Sequence, residues 1–223
     1  VAPAAGSRAG WRSGFLLFAY AIAFSFAYTR LTASTGALIL FASVQAAILV
    51  GAMCSGERPR ALEWCGLALA LAGLVYLTLP GLRAPPLSGS LLMVCAGIAW
   101  GWYTLRGLGS PGPLHDTSRN FLCAVIPAAV AMAFAARRLH VTGAGAGWAV
   151  ASGMLASGGG YVVWYAALRG LTAARAAMVQ LAVPVIAAAG GALLLAEEIG
   201  ARLVVAALLI LGGIALALAR RGR

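Results

Sequence analysis

Apolar residues run through this chain in stretches of about twenty, the length an α-helix needs to cross roughly 30 Å of hydrocarbon. The stretches end wherever Arg, Glu, Asp, Pro or Gly intervenes. Cutting at those interruptions predicts eight spans, at 14–30, 33–54, 61–80, 88–107, 119–137, 146–169, 172–196 and 201–219. The breaks carry helix-cap or helix-breaker chemistry, at Thr32, at Gly56-Glu57-Arg58-Pro59, at Pro85-Pro86 and at Gly170-Leu171-Thr172. Several loops are short enough to force an antiparallel helix hairpin. The predicted fold class is an all-α polytopic membrane protein with eight transmembrane helices and the lipid bilayer as its solvent. The first run, from Gly14, lacks a charged methionine start and a small-residue cleavage site, so it reads as a span and not as a signal peptide.

Composition supports this reading. The chain is 62% hydrophobic and 9% charged, with a mean hydropathy of +0.95, whereas a water-facing surface needs about a quarter of the residues charged. A net charge of +11 raises nucleic acid as a partner. Against it, all sixteen bases are Arg, only Arg137-Arg138 and Arg220-Arg221 are adjacent, and none lies on an amphipathic helix. No nucleic-acid partner is expected. The arginines set orientation instead. With eight spans both termini share a side, and eleven arginines fall there against five opposite, which makes the terminal side cytoplasmic. Cys54, Cys65, Cys95 and Cys123 show neither C-x-x-C spacing nor a nearby His, so neither a disulfide framework nor a metal site is indicated. The two histidines, His115 and His140, fall in loops on opposite sides, and Asp116 is the single Asp. Neither serine nor aspartyl chemistry within the membrane is supported, so no enzyme and no cofactor is expected.

The chain also repeats itself. An ungapped offset of 140 matches Leu31-Thr32-Ala33 with Leu171-Thr172-Ala173, Gly51-Ala52 with Gly191-Ala192, and Glu57 with Glu197. It goes on to match Ala61 with Ala201, Leu69 and Leu71 with Leu209 and Leu211, and Gly73 with Gly213. Between Thr32 and Thr172 the predicted chain crosses the bilayer five times, an odd number, so the two copies lie in opposite orientations. Such an inverted repeat is the architecture of many secondary carriers. Spans two and three match seven and eight, and span one lies where span six does. Spans four and five have no counterparts. A complete first copy demands two more helices before residue 1, starting about 52 residues upstream by the same offset. The expectation is an N-terminally incomplete five-plus-five protein, or a natural eight-span form.

The repeat segments Leu31-Thr32-Ala33 to Gly56-Glu57-Arg58-Pro59, then Glu63-Trp64-Cys65-Gly66-Leu67, carry a family resemblance. So do Trp164-Tyr165-Ala166-Ala167-Leu168 and Gln180-Leu181-Ala182-Val183-Pro184-Val185 in the second copy. On these residues the sequence resembles the drug/metabolite transporter superfamily, specifically its EamA-type members, over about 12–219. The resemblance implies a partial first repeat at 12–81, holding that repeat's helices three to five, and a full five-helix second repeat at 88–219. It further implies a carrier in a bacterial inner membrane that exports or exchanges small metabolites or drugs by alternating access. The family's Gly-Glu turn is Gly56-Glu57 in the first copy, but Ala196-Glu197-Glu198 in the second. The alternative is a remnant that has lost transport along with part of its cavity wall.

Polar side chains are scarce at mid-membrane depth, where they persist when they face a cavity or a partner. Gln45 in span two and Gln180 in span seven either hydrogen-bond a substrate or join neighbouring helices. Ser25 and Ser43 lie at similar depth. Pro184, one turn beyond Gln180, removes an N–H and is expected to kink span seven beside the cavity. Trp100 shares a helical face with Tyr103, and Tyr161 shares one with Trp164 and Tyr165. Trp100 and Tyr161 are the cavity candidates, whereas Trp164 and Tyr165 read as an interfacial belt. Gly158, Gly159 and Gly160 mark either a gating hinge or, more commonly for such glycines, a close helix approach. The Gly66, Ala70 and Gly73 face, partly matched by Ala206, Ile210 and Gly213, suits scaffold packing or a homodimer contact. Glu57 and Glu197 read as helix-end acids or as gates. Glu63, Arg119 and Arg175 fall in first helical turns, where they can reach the interface. No acid falls at the midplane of these spans, so proton coupling through them is not supported.

Overall fold

The structure, a computed structural model, describes residues 8–79, 85–136, 141–195 and 200–219, and within them every regular element is helical. In chain order the helices are α1 (Arg8–Tyr28), α2 (Ala33–Cys54), α3 (Ala61–Thr78), α4 (Leu87–Gly107) and α5 (Pro113–Ala135). There follow α6 (Gly143–Ala151), a π-helical segment (Ser152–Gly159), α7 (Gly160–Ala167), α8 (Ala173–Gln180), α9 (Val183–Leu195) and α10 (Ala201–Leu218). Four helices and the α8–α9 pair are long and apolar enough to cross a membrane: Ala33–Cys54, Ala61–Thr78, Pro113–Ala135, Ala173–Gly190 and Ala201–Leu218. The protein is a multi-pass, all-helical membrane protein. The expected sixth span is divided by the π-helical segment and the seventh by a turn at Leu181-Ala182. Glu197, Glu198, His140 and several of the counted arginines lie outside the described residues.

Local chemistry sets the helix ends. Thr32 and Thr172 each accept the N–H three residues on, from Thr35 and Arg175, both at 3.3 Å. Gly56, at φ +83°, reverses the chain after α2. There the Gly56 N–H bonds the Met53 carbonyl at 3.0 Å, and the Glu57 N–H bonds that of Ala52 at 2.9 Å, the paired pattern of a glycine-terminated helix. α5 starts six residues before the expected span because Pro113 occupies its first turn, where a missing N–H does no harm.

Small residues hold the bundle together, as expected where lipid provides no hydrophobic drive between helices. α2 and α4 meet at Gly97, over Ser43 and the Leu40 carbonyl, and at Gly101, over Ala47. Leu40, Val44, Ile48, Met93 and Ala96 are buried along that seam. α3 packs along α10, where Gly66 lies against the Gly213 backbone and Gly73 against Ile210 and the Ala206 carbonyl. The small-residue faces expected to serve a scaffold or a dimer are thus used within the chain. α8 is almost wholly buried, its Met178 packing in one cluster with Leu74 and Ile210. By contrast α5, α6 and the π-helical segment turn side chains such as Phe134, Trp148 and Leu155 outward.

Candidate functional site

The site is built where α8 stops. Pro184 has no N–H to give the Gln180 carbonyl, and the α-helical ladder lapses just before it. The Leu181 N–H turns back to Met178 at 3.0 Å and the Ala182 N–H to Val179 at 3.1 Å, three residues back in place of four. A side chain from another helix enters at this point: Gln45 of α2 donates from Nε2 to the Ala177 carbonyl at 2.7 Å. One turn further along α8, the Gln180 Oε1 accepts the indole N–H of Trp100 from α4. Two amides from opposite ends of the sequence are thereby anchored within about one helical turn, ~5 Å of rise.

Both anchored amides keep one atom without a partner. Gln45 is 3% exposed and Gln180 4%, yet Gln45 Oε1 and Gln180 Nε2 find no hydrogen bond among the described residues. Leaving a buried polar atom unsatisfied costs about 1–3 kcal/mol. Thr104 Oγ1, Thr117 Oγ1 and Trp164 Nε1 are buried without a partner among the described residues as well; what sets the two glutamines apart is that both are anchored at one helix interruption.

Aromatic rings gather around the Trp100 indole that holds Gln180. The Trp100 ring lies 5.0 Å from Tyr161 of α7, 4.9 Å from Tyr20 of α1 and 5.5 Å from Tyr103, centroid to centroid. Phe121 of α5 closes on Tyr161 at 5.5 Å, and Phe24 and Tyr28 extend the row along α1. These spacings are those of offset and edge-to-face ring pairs. The structure therefore brings Gln45, Gln180, Trp100 and Tyr161 into one neighbourhood beside Pro184. Sequence reading missed Tyr20, Phe24 and Tyr28, whose four-residue spacing on α1 is the signal that could have found them. Ser25 and Ser43 do not join: each hydroxyl bonds its own helix, to the Ala21 and Ile39 carbonyls, both at 2.8 Å.

Two expectations need correction. Tyr165 is not an interfacial ring but is 2% exposed, because Gly107 of α4 leaves a flat backbone surface that the Tyr165 ring occupies. Its hydroxyl and that of Tyr103 meet Asn120 of α5, at 3.3 and 3.4 Å. Close helix packing does not account for Gly158, Gly159 and Gly160 either. The nearest atoms to added Cβ atoms at the first two are Gly153 and Met154 carbonyls of their own strand of helix, and none lies within 4 Å at Gly160. The helix widens there into the π form, a local geometry often found at functional positions.

At the end of the bundle where α1 begins and α10 ends, polar contacts tie α8 to the α2–α3 hairpin. The Glu57 carboxylate accepts the N–H groups of Ala173 and Ala174, at 3.1 and 3.2 Å, at the positive end of α8. Glu63 binds the Arg60 N–H at 2.8 Å and the Arg175 guanidinium at 3.1 Å. Arg106 reaches Ser13 at 3.0 Å, and Arg169 reaches the carbonyls of Ser110, at 3.2 Å, and Pro111.

A multi-pass helical bundle with a broken helix beside an aromatic, polar interior site is of the membrane transporter class. The sequence profile of the EamA-like transporter family matches residues 87–219, which run from α4 to α10. The chain belongs to that family, and so to the drug/metabolite transporter superfamily. An uncharacterized protein of Pseudomonas aeruginosa, PA1977, is 52% identical over 219 residues, 98% of this chain and 76% of its own length. A protein crystal structure at 20% identity superposes with a TM-score of 0.75, covering 93% of this chain and 75% of its own. That likeness is one of fold.

Proposed function

We propose that this protein is an inner-membrane carrier that exports or exchanges small metabolites or drugs by alternating access, with both termini in the cytoplasm. Its framework is an inverted repeat. In support, α3 and α10 begin and end 140 residues apart, as α2 and α8 begin 140 apart, and the Gly66–Gly213 contact has its repeat-related equivalent in Ala206–Gly73.

The single observation that carries the transport reading is the pair of anchored glutamines at the α8–α9 break. Carriers place substrate sites where a helix is interrupted at mid-membrane depth, and here Gln45 and Trp100 converge on that interruption. Substrate would reach the site by displacing ring-on-ring contacts of Trp100 with Tyr20 and Tyr161. Interhelical glue gains most from pairing both ends of an amide, and each of these two leaves one end free.

The test is an untargeted comparison of small molecules released by an efflux-deficient bacterial host. Cells expressing the protein are compared with cells expressing Trp100→Ala at equal membrane abundance. At least one compound is expected to accumulate outside the first cells and to fall by tenfold or more in the second. Identical media, with both proteins folded in the membrane, would refute the reading.

A further inference from the structure

The two unpaired amide atoms have a fixed polarity. Gln45 spends its NH2 on the Ala177 carbonyl, so what it presents is an oxygen, an acceptor. Gln180 spends its oxygen on the Trp100 indole, so what it presents is an NH2, a donor. Flipping either amide would set oxygen against a carbonyl, or NH2 against an indole N–H, so neither can reverse without losing its anchor. The two anchors, the Ala177 carbonyl and the Gln180 side chain, lie about one helical turn apart on α8; both amides are nine-tenths or more buried, and Trp100, which holds Gln180, packs against the rings of Tyr20 and Tyr161. The residues that build this cluster, on α1, α2, α4, α7 and α8, include no charged side chain, and Arg106 and Arg175 engage Ser13 and Glu63 at the end where α1 begins and α10 ends.

We propose that the site selects an uncharged, flat molecule that carries an N–H and a C=O side by side, the edge of a cyclic amide. This deepens the carrier reading above and rests on it. The ligand N–H donates to Gln45 Oε1, its carbonyl accepts from Gln180 Nε2, and its ring lies among the aromatic faces. Each contact satisfies an atom that the protein leaves unsatisfied, so the gain is specific to that polarity. Molecules lacking the edge leave both atoms unpaired, the circumstance in which buried polar sites discriminate most strongly. An ionised carboxylate or ammonium would enter with no counter-charge, which the apolar surroundings disfavour.

The experiment measures saturable binding to the full chain in lipid nanodiscs by equilibrium dialysis. The probes are 2-quinolone, N-methyl-2-quinolone, in which the donor is blocked, and quinoline-2-carboxylate, which is charged. The proposal expects 2-quinolone to bind at least tenfold tighter than either of the others. It also expects Gln45→Leu and Gln180→Leu each to remove that preference. The comparison among probes on the unaltered protein stands even if a variant fails to fold. Equal binding of 2-quinolone and its N-methyl form, or preference for the carboxylate, overturns the proposal. So does absence of 2-quinolone binding by protein that exports a compound in the cell assay, a result that leaves the carrier reading standing. Loss of the cell export itself removes the carrier reading instead.

Discussion

Glu57 joins two helices that lie more than a hundred residues apart. Gly56 turns the chain through a left-handed conformation, so the next residue leaves α2 heading across the bundle end, and its two oxygens find the first two N–H groups of α8. A carboxylate there meets both unsatisfied donors and the positive end of the helix dipole. Glu57→Gln keeps the shape but removes the charge and sets an NH2 against an N–H. Its expected cost is about 1–2 kcal/mol, seen as a lower melting temperature in detergent and a steeper loss for Glu57→Ala. An unchanged melting temperature in both would mean the contact contributes nothing. The sequence marks Glu57 as a helix-end acid because the Gly-Glu turn is local. Its partner is not legible, since nothing near Glu57 records where α8 will dock. The same holds for Trp100 and Gln180, eighty residues apart: each is readable as a polar or aromatic residue at depth, but their bond depends on how α4 and α8 pack. Tyr165 was misread because its place near a helix end resembles a belt position, while the glycine that accommodates it lies on another helix.

Helix ends were readable where capping side chains or glycines set them, and this is why α2 runs from 33 to 54 as expected. Interruptions inside spans were readable only in part. Pro184 announces a break through its missing N–H, and the break falls one turn earlier, at Leu181-Ala182. The glycines at 158–160 announce a weak place without saying which way it yields. α5 begins inside a stretch that polarity makes look like a loop, because Thr117 and Asn120 are buried within the bundle in place of facing water. The π-helical segment lacks neighbours over Gly158 and Gly159, so methyl groups fit there at 3.4 Å or more from the nearest atoms. Alanine also restricts the unfolded chain and favours the helix, by roughly 0.5–1 kcal/mol per site. The double variant Gly158→Ala with Gly159→Ala is therefore expected to melt at the same or a higher temperature. If the segment bends during transport, its initial rate of export falls at least fivefold despite that gain. Full export by the stabilised variant would show that α6 and α7 move as one rigid rod.

In the whole molecule, the seam between α3 and α10 and the polar ties at one end work at different places. The seam relies on glycine backbones in contact across the middle of two helices, Gly66 on Gly213 and Gly73 on Ala206, and small-residue contacts of this kind resist separation because the two backbones approach closely enough to pack against each other. The ties are few and hydrophilic: Glu57 on α8, Glu63 on Arg175, Arg106 on Ser13. At the opposite end of the same seam Arg202 rests over the Tyr76 ring at 5.6 Å. Under the alternating access proposed above, the bundle opens first at one end and then at the other; Glu63 and Ser13 are buried while their ties hold, and opening this end returns them and their arginines to water, so these are the contacts that can break and re-form. The α2–α3 hairpin and the start of α8 should then separate in each transport cycle, while α3 stays on α10. Pairing Glu63→Cys with Arg175→Cys, after replacing the four native cysteines, lets a short reversible bis-thiosulfonate join the two positions. Joined protein is expected to lose more than nine-tenths of its export and to recover it on reduction, with its melting temperature held or raised. Export that continues at full rate through the crosslink would mean this end never opens, and the moving parts would have to be sought at the π-helical segment and the α8–α9 break alone.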